Sequence, residues 1–215
     1  MKTLLLALFS TIFCLMFITN TYAAVIYDNG MNDIVTGILS SESQNGITTQ
    51  YVGDSFNIPT QAIITDIHWI GFYYPDDNPP TTDSFIKKIY TELFGLPDSV
   101  GGPFYIDIVG SANKTDTGVD FGSYNLYEYT TIIDPFMAQA GQTYWLEIYN
   151  EIDNVGWYWA TAEGGNLAFR QTDDWYPFEL ETRFQLTGTV VPEPSTFILL
   201  GAGLAGLAVW RRKRS

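Results

Sequence analysis

The residues best suited to chemistry lie in one polar stretch, Asp173-Asp174-Trp175-Tyr176, between Gln171-Thr172 and Pro177. An aromatic pair in such a loop is hard to explain by burial. Aromatic rings on a loop rim or sheet face hold sugars, because apolar C–H faces lie flat on π surfaces. Trp175 and Tyr176, with Asp173 and Asp174, are therefore the candidate ligand contacts. Trp145, Trp157 and Trp159 are a different case. Trp157 and Trp159 share one face of a strand and Tyr158 takes the other, and sheet core is the plainer reading of the two tryptophans.

Carboxylates come next. Asp173-Asp174 and Asp76-Asp77 are doublets, and Asp116 and Asp120 flank Gly118. Oxygen-rich loops of this kind suit Ca²⁺, which takes about six to eight oxygens. None has the Asp-x-[Asp/Asn]-x-[Asp/Asn]-Gly spacing, and water-exposed turns are the simpler reading. No metal ligand set is assigned.

Catalytic constellations are missing. His68 is the single histidine and sits in an apolar run beside Trp69. There is no Gly-x-Ser-x-Gly, no His-Glu-x-x-His and no phosphate-cradling glycine loop. Two carboxylates separated by about 5–10 Å would serve glycoside hydrolysis, but spacing along a chain does not show distance in space. No catalytic residue is assigned, and the chain is expected not to be an enzyme. A glycan-active hydrolase using paired carboxylates stands as the alternative. Asn113-Lys114-Thr115 is a glycosylation sequon.

The elements that must position these residues read as strands. The middle of the chain is rich in Tyr, Phe, Trp, Thr, Ile and Val, is broken by Gly, Pro, Asn and Asp, and has no long 3.6-residue period. Strands are predicted at Ile47–Val52, Ile63–Tyr74, Phe85–Phe94, Phe104–Val109, Tyr124–Ile133, Thr143–Tyr149, Gly156–Ala162, Leu167–Gln171 and Glu181–Val190, with a short helical turn at Ala138–Ala140. The predicted fold is all-β, a jelly-roll-like antiparallel β-sandwich over residues 24–190.

Charge separates by region. Of 10 Lys and Arg, five lie at the ends (Lys2 and Arg211 to Arg214); of 24 Asp and Glu, only Glu193 does. The stretch between carries five cations against 23 anions, a net of −18. Such a surface repels nucleic acid and anionic lipid and suits neutral or cationic partners. Cys14 is the only cysteine, so residues 24–190 have no disulfide and no thiol metal site.

The ends read as addresses. Met1-Lys2, the apolar Leu4–Ile18 and Thr21-Tyr22-Ala23 form a signal peptide over residues 1–23, with signal peptidase cutting after Ala23. Phe13 before Cys14 argues against lipidation. At the other end Val191-Pro192-Glu193-Pro194-Ser195 forms a rigid hinge. Phe197 to Trp210 are all apolar or Gly, and Arg211, Arg212, Lys213 and Arg214 form a basic stop. This is the pattern of a membrane-inserted helix with a cytoplasmic C-terminus. Its apolar run is short of the ~20 residues that a bilayer requires. Ala202 and Gly206 form a small-residue pair that could pack on another helix.

Residues 191–215 resemble the PEP-CTERM sorting signal of bacterial exported proteins, with Pro192, Glu193 and Pro194 as the sorting triplet. The resemblance implies recognition by an exosortase, a membrane-embedded transpeptidase that processes the chain near the triplet. It also implies a place at the cell envelope, outer surface or extracellular matrix, after transient membrane anchoring. Ile63–Trp69, Phe85–Tyr90, Ala140–Ile148 and Trp157-Tyr158-Trp159 loosely resemble the β-sandwich ectodomains found ahead of this signal, which implies the fold and no activity. The expected protein is thus exported, non-catalytic and sorted, with polysaccharide or divalent cations as possible ligands. A permanently anchored single-span protein is a further alternative.

Overall fold

Alternation of apolar and polar residues drives the architecture. The structure is a computed structural model that describes residues 23–31, 33–42, 49–75, 79–107, 112–151, 156–192 and 194–214. The expected signal peptide and the Asp76-Asp77 doublet lie outside the described residues, apart from Ala23. Thirteen strands are seen among those residues. They are β1 (Ala24–Asp28), β2 (Thr36–Leu39), β3 (Tyr51–Asn57), β4 (Ala62–Tyr74), β5 (Phe85–Leu93), β6 (Leu96–Pro97), β7 (Tyr105–Asp107), β8 (Asn113–Phe121), β9 (Tyr124–Ala138), β10 (Thr143–Asn150), β11 (Gly156–Arg170), β12 (Tyr176–Thr182) and β13 (Phe184–Val190). One helix, α1 (Pro194–Arg214), follows.

All named strand pairs are antiparallel, and the main hydrogen-bonded path runs β1-β13-β4-β11-β3-β10-β5-β6. The path folds into two layers because β11 serves both. Its first part, Gly156 to Trp159, pairs with β4, and its last part, Leu167 to Arg170, pairs with β3. Between them Gly164 and Gly165 adopt φ of 87° and 79°. Only glycine takes such values without strain. The register against β12 shifts at the same place. A sheet that turns there can lay one face over the other.

The two inner faces share one core. Tyr144, Leu146 and Ile148 of β10, Trp157, Trp159 and Leu167 of β11, and Ile64, Ile67 and Trp69 of β4 all belong to it. The spacing of Ile64 and Ile67 breaks the two-residue period because the β4–β9 register shifts between Ile64 and Asp66. Pro135 lies at that shift in β9, outside the paired positions, where the missing N–H costs no ladder bond. Gly188 sits at the matching shift in β13. A Cβ there would lie 2.0 Å from the Ile63 carbonyl oxygen.

Several expectations are corrected. Residues 113–121 form β8, although Asp116 to Asp120 read as a turn, and 176–182 form β12, although Gln171 to Pro177 read as a polar loop. Strands β1 and β2 are also additional. The two short strands predicted at 156–162 and 167–171 are one bent strand. Residues 138–140 are the end of β9 and a turn, not a helical turn. Strand β8 is polar and paired on one side only, so it carries no alternating apolar signal, whereas β12 does alternate at Tyr176, Phe178 and Leu180.

Candidate functional site

The outer face of the second layer carries the site. In β10 the residues between the core positions point outward, and Trp145, Glu147 and Tyr149 nonetheless are buried. What covers them comes from both flanks. The segment after β11 folds Trp175 back over the face, and the β5–β6 hairpin adds Leu96. Trp175 is only 7% exposed and packs with Tyr90, Trp145, Ala168 and Leu96. Its ring lies 3.4 Å from where a Cβ on Gly53 would stand. The expectation of a loop tryptophan free of burial is thereby corrected. Tyr176 is about half exposed, and Asp173 and Asp174 are exposed.

Beneath Trp175 lies a buried charge network that sequence reasoning missed. The Glu147 side chain is fully buried. Arg170 donates from Nη2 to Glu147 Oε1 at 3.0 Å and to Oε2 at 3.3 Å. The Tyr90 hydroxyl donates to Oε2 at 2.6 Å, and Lys88 Nζ stands 3.6 Å from Oε1. The Arg170 guanidinium also lies between two rings, 4.5 Å from the Tyr51 centroid and 5.0 Å from Trp175. Lys88 Nζ is 4.8 Å from the centre of Tyr149. Burial beside Glu147 pushes the Tyr90 hydroxyl well above its usual range. Charged residues inside the apolar runs of β5 and β10 were the available signal, since a buried charge requires a partner.

Two clefts open over this network. One, of about 350 Å³, is lined by Lys88, Tyr90, Arg170, Trp175 and Asp173, with Pro103 among the opposing wall residues. The other, of about 390 Å³, is lined by Leu93, Phe94, Leu96, Asp174, Trp175 and Tyr176. Trp175 and Ser99 line both, so the two clefts adjoin and together make up the groove at Trp175. Phe94 stands on its rim, 96% exposed, at the tip of the β5–β6 turn with φ of 53°. Of the four candidate contacts, Asp173 and Trp175 line the first cleft, and Asp174, Trp175 and Tyr176 the second.

The other candidates lie elsewhere. Asp116 and Asp120 are in β8, and Asp116 accepts from the Gly118 backbone N–H at 2.8 Å. Asp116 lines a cavity of about 570 Å³ on the first layer's outer face, floored by Met31, Ile34, Ile70 and Leu126. His68 approaches Thr130 Oγ1 at 3.2 Å and Glu128 at 3.8 Å. Trp157 and Trp159 are core residues. Among the described residues no group of three or more His, Cys, Asp or Glu could hold a metal ion.

The tail departs from β13 through Val191 and Pro192; Glu193 lies outside the described residues, and Pro194 opens α1. Leu200, Leu207 and Trp210 are each more than half exposed. A Cβ added at Gly201, Gly203 or Gly206 would meet nothing within 4 Å. The helix carries Arg211 and Arg212, both exposed, and ends at Arg214. Among the described residues no helix is long and apolar enough to cross a membrane, which corrects the expectation of a spanning helix. The physical reason is the basic stop, which ends the apolar run at Trp210.

A β-rich domain followed by an exposed apolar helix with a basic end defines a domain-plus-address chain. Residues 190–213 match the family described as PEP-CTERM protein-sorting motif. This motif implies recognition by an exosortase, a membrane enzyme, and export and sorting to the cell envelope or surface. No curated protein matches the chain.

Proposed function

We propose that this is a non-catalytic, exported surface protein whose β-sandwich holds extracellular polysaccharide in the groove at Trp175, and whose tail is removed on sorting. The observation that carries the reading is the groove. It has aromatic side chains at its centre and rim, Trp175, Tyr176 and Phe94, and polar groups on its floor. Concave sites with a few convergent polar groups among apolar ones are the usual ligand sites. The non-catalytic reading is supported by Glu147, a buried carboxylate whose oxygens are engaged by Arg170, Lys88 and Tyr90 rather than turned to a reacting group.

The tail reading is supported by the exposed Leu200 and Leu207 of the apolar helix, which need another apolar surface, lipid or the membrane enzyme.

A glycan array probed with the exported chain tests the ligand. Binding that is lost in Trp175→Ala, with the fold retained, supports the reading. A flat array refutes it. Mass spectrometry of the mature C-terminus tests the tail, and an intact Arg211–Arg214 end refutes its removal.

A further inference from the structure

The five cations between Ala24 and Val190 are not used alike. Lys114 pairs with Asp83 at 2.9 Å and donates to the Pro80 carbonyl at 2.8 Å. Arg183 donates to the Asp33 carbonyl from Nε and Nη2 at 3.1 and 2.7 Å, and to the Asn29 carbonyl from Nη1. Lys87 is fully buried. Lys88 and Arg170 line a cleft, and they line the same one.

Two cations there face one buried carboxylate. Glu147 balances one of these two charges, and Glu42, beside Tyr51 and Tyr149, also bears on them, within a domain of net −18. Asp173 lines the cleft too, but is exposed to water. Both cations are partly withdrawn from water, each with a side chain 17% exposed, and such a pair is costly to hold unless charge is supplied to it. Arg170 is held by Glu147 and by the rings of Tyr51 and Trp175, 4.5 and 5.0 Å from its guanidinium. Its Nε is buried and has no hydrogen-bond partner among the described residues. The guanidinium and the Lys88 ammonium both line the cleft, beside the aromatic surface of Trp175.

We infer that the groove recognises an acidic sugar: a saccharide carboxylate sits against Lys88 and Arg170 while the neighbouring ring lies on Trp175. This rests on the polysaccharide reading above and names the class of saccharide. Glu147 is a positioning residue, fixing Arg170 without touching the ligand. Two cations lining one cleft also explain how a strongly acidic domain holds an acidic polymer. Long-range repulsion slows the encounter, and the short-range pair retains the ligand.

The test compares an oligosaccharide of uronic acid units with its methyl ester, which has the same rings without the charge. Both are titrated into the full exported chain, and into Lys88→Met, by calorimetry. The acid is expected to bind about tenfold more tightly than the ester. That preference is expected to disappear in Lys88→Met and to shrink with added salt, while ester binding is unchanged. Circular dichroism confirms that the variant is folded; should it not be, the salt dependence of the wild-type preference still decides. Equal binding of acid and ester overturns the inference and leaves the polysaccharide reading standing. Preference for the ester also overturns it. Binding of neither, on a folded chain that also gives a flat glycan array, overturns both.

Discussion

Arg170 lies along the buried carboxylate of Glu147, with Nη2 3.0 Å from one oxygen and 3.3 Å from the other. The two residues come from different strands, β11 and β10, with β3 between them. Their contact therefore spans the sheet face and ties the bent end of β11 to the centre of the second layer. Breaking a buried pair from one side leaves an uncompensated charge. Glu147→Ala is expected to lower unfolding free energy by about 3–5 kcal/mol, read from urea denaturation. A loss below about 1 kcal/mol, the range of an exposed pair, would show that the network is wetter than its burial indicates.

Asp54 sets a pH dependence. Its carboxyl accepts from Thr182 N–H at 2.6 Å, Thr182 Oγ1 at 2.9 Å and Ser55 N–H at 2.7 Å. Burial outweighs these donors and pushes it from 3.8 up to about 7. The folded chain thus keeps a proton that the unfolded chain has lost. The contribution is fully present below about pH 4 and is lost as pH rises toward 7, with a slope of at most about 1.4 kcal/mol per unit. Stability measured at about pH 5 and pH 7.5, either side of the folded-state titration, in wild type and Asp54→Asn checks this. The wild type should lose more than the variant, whose slope reports only general repulsion among the acids. Parallel slopes would sink the assignment.

Gly188 and Gly203 should respond oppositely to alanine. A Cβ at Gly188 meets the Ile63 backbone at 2.0 Å, and one at Gly203 meets nothing within 4 Å. Gly188→Ala is expected to cost about 1–3 kcal/mol or more, since backbone must move. Gly203→Ala should leave domain stability untouched and raise helix content in α1 slightly. Thermal melts of the two variants compare them directly.

Trp157 and Trp175 should also separate. Trp157 lies between the layers, with Phe85 at 4.9 Å and Tyr129 at 6.1 Å between ring centroids. Trp157→Ala is expected to cost about 3–5 kcal/mol. Trp175 covers an outer face, and Trp175→Ala should cost less and instead expose the Glu147 network. Tyrosine and tryptophan fluorescence during urea unfolding gives both numbers; equal losses would argue that the outer face is as structural as the core.

Sorting offers the last check. Replacing Pro192 and Pro194 by alanine removes the rigid hinge ahead of α1. Processing in a host with an exosortase should fail, and the unprocessed chain should remain with the membrane fraction. Normal processing would mean that the helix and basic end suffice for recognition.

Whatever depends on order along the chain was legible in the residues alone. The Pro192-Glu193-Pro194 hinge, the apolar run to Trp210 and the basic end are contiguous, so their reading needs no fold. The all-β class was legible from β-branched and aromatic residues with turn signals between them, and Trp157 and Trp159 were placed in the core by strand alternation. Tertiary packing settled what depends on residues far apart. It joined β11 to two layers through Gly164 and Gly165, and turned the polar stretch at 113–121 into an edge strand paired on one side. It also buried Trp175, which sat among polar neighbours, because the covering partners Tyr90, Trp145 and Leu96 come from other strands. The groove at Lys88, Glu147 and Arg170 was hidden for the same reason. A charge on a strand shows that a partner must exist, but only the packing of the sheet brings that partner within hydrogen-bonding distance.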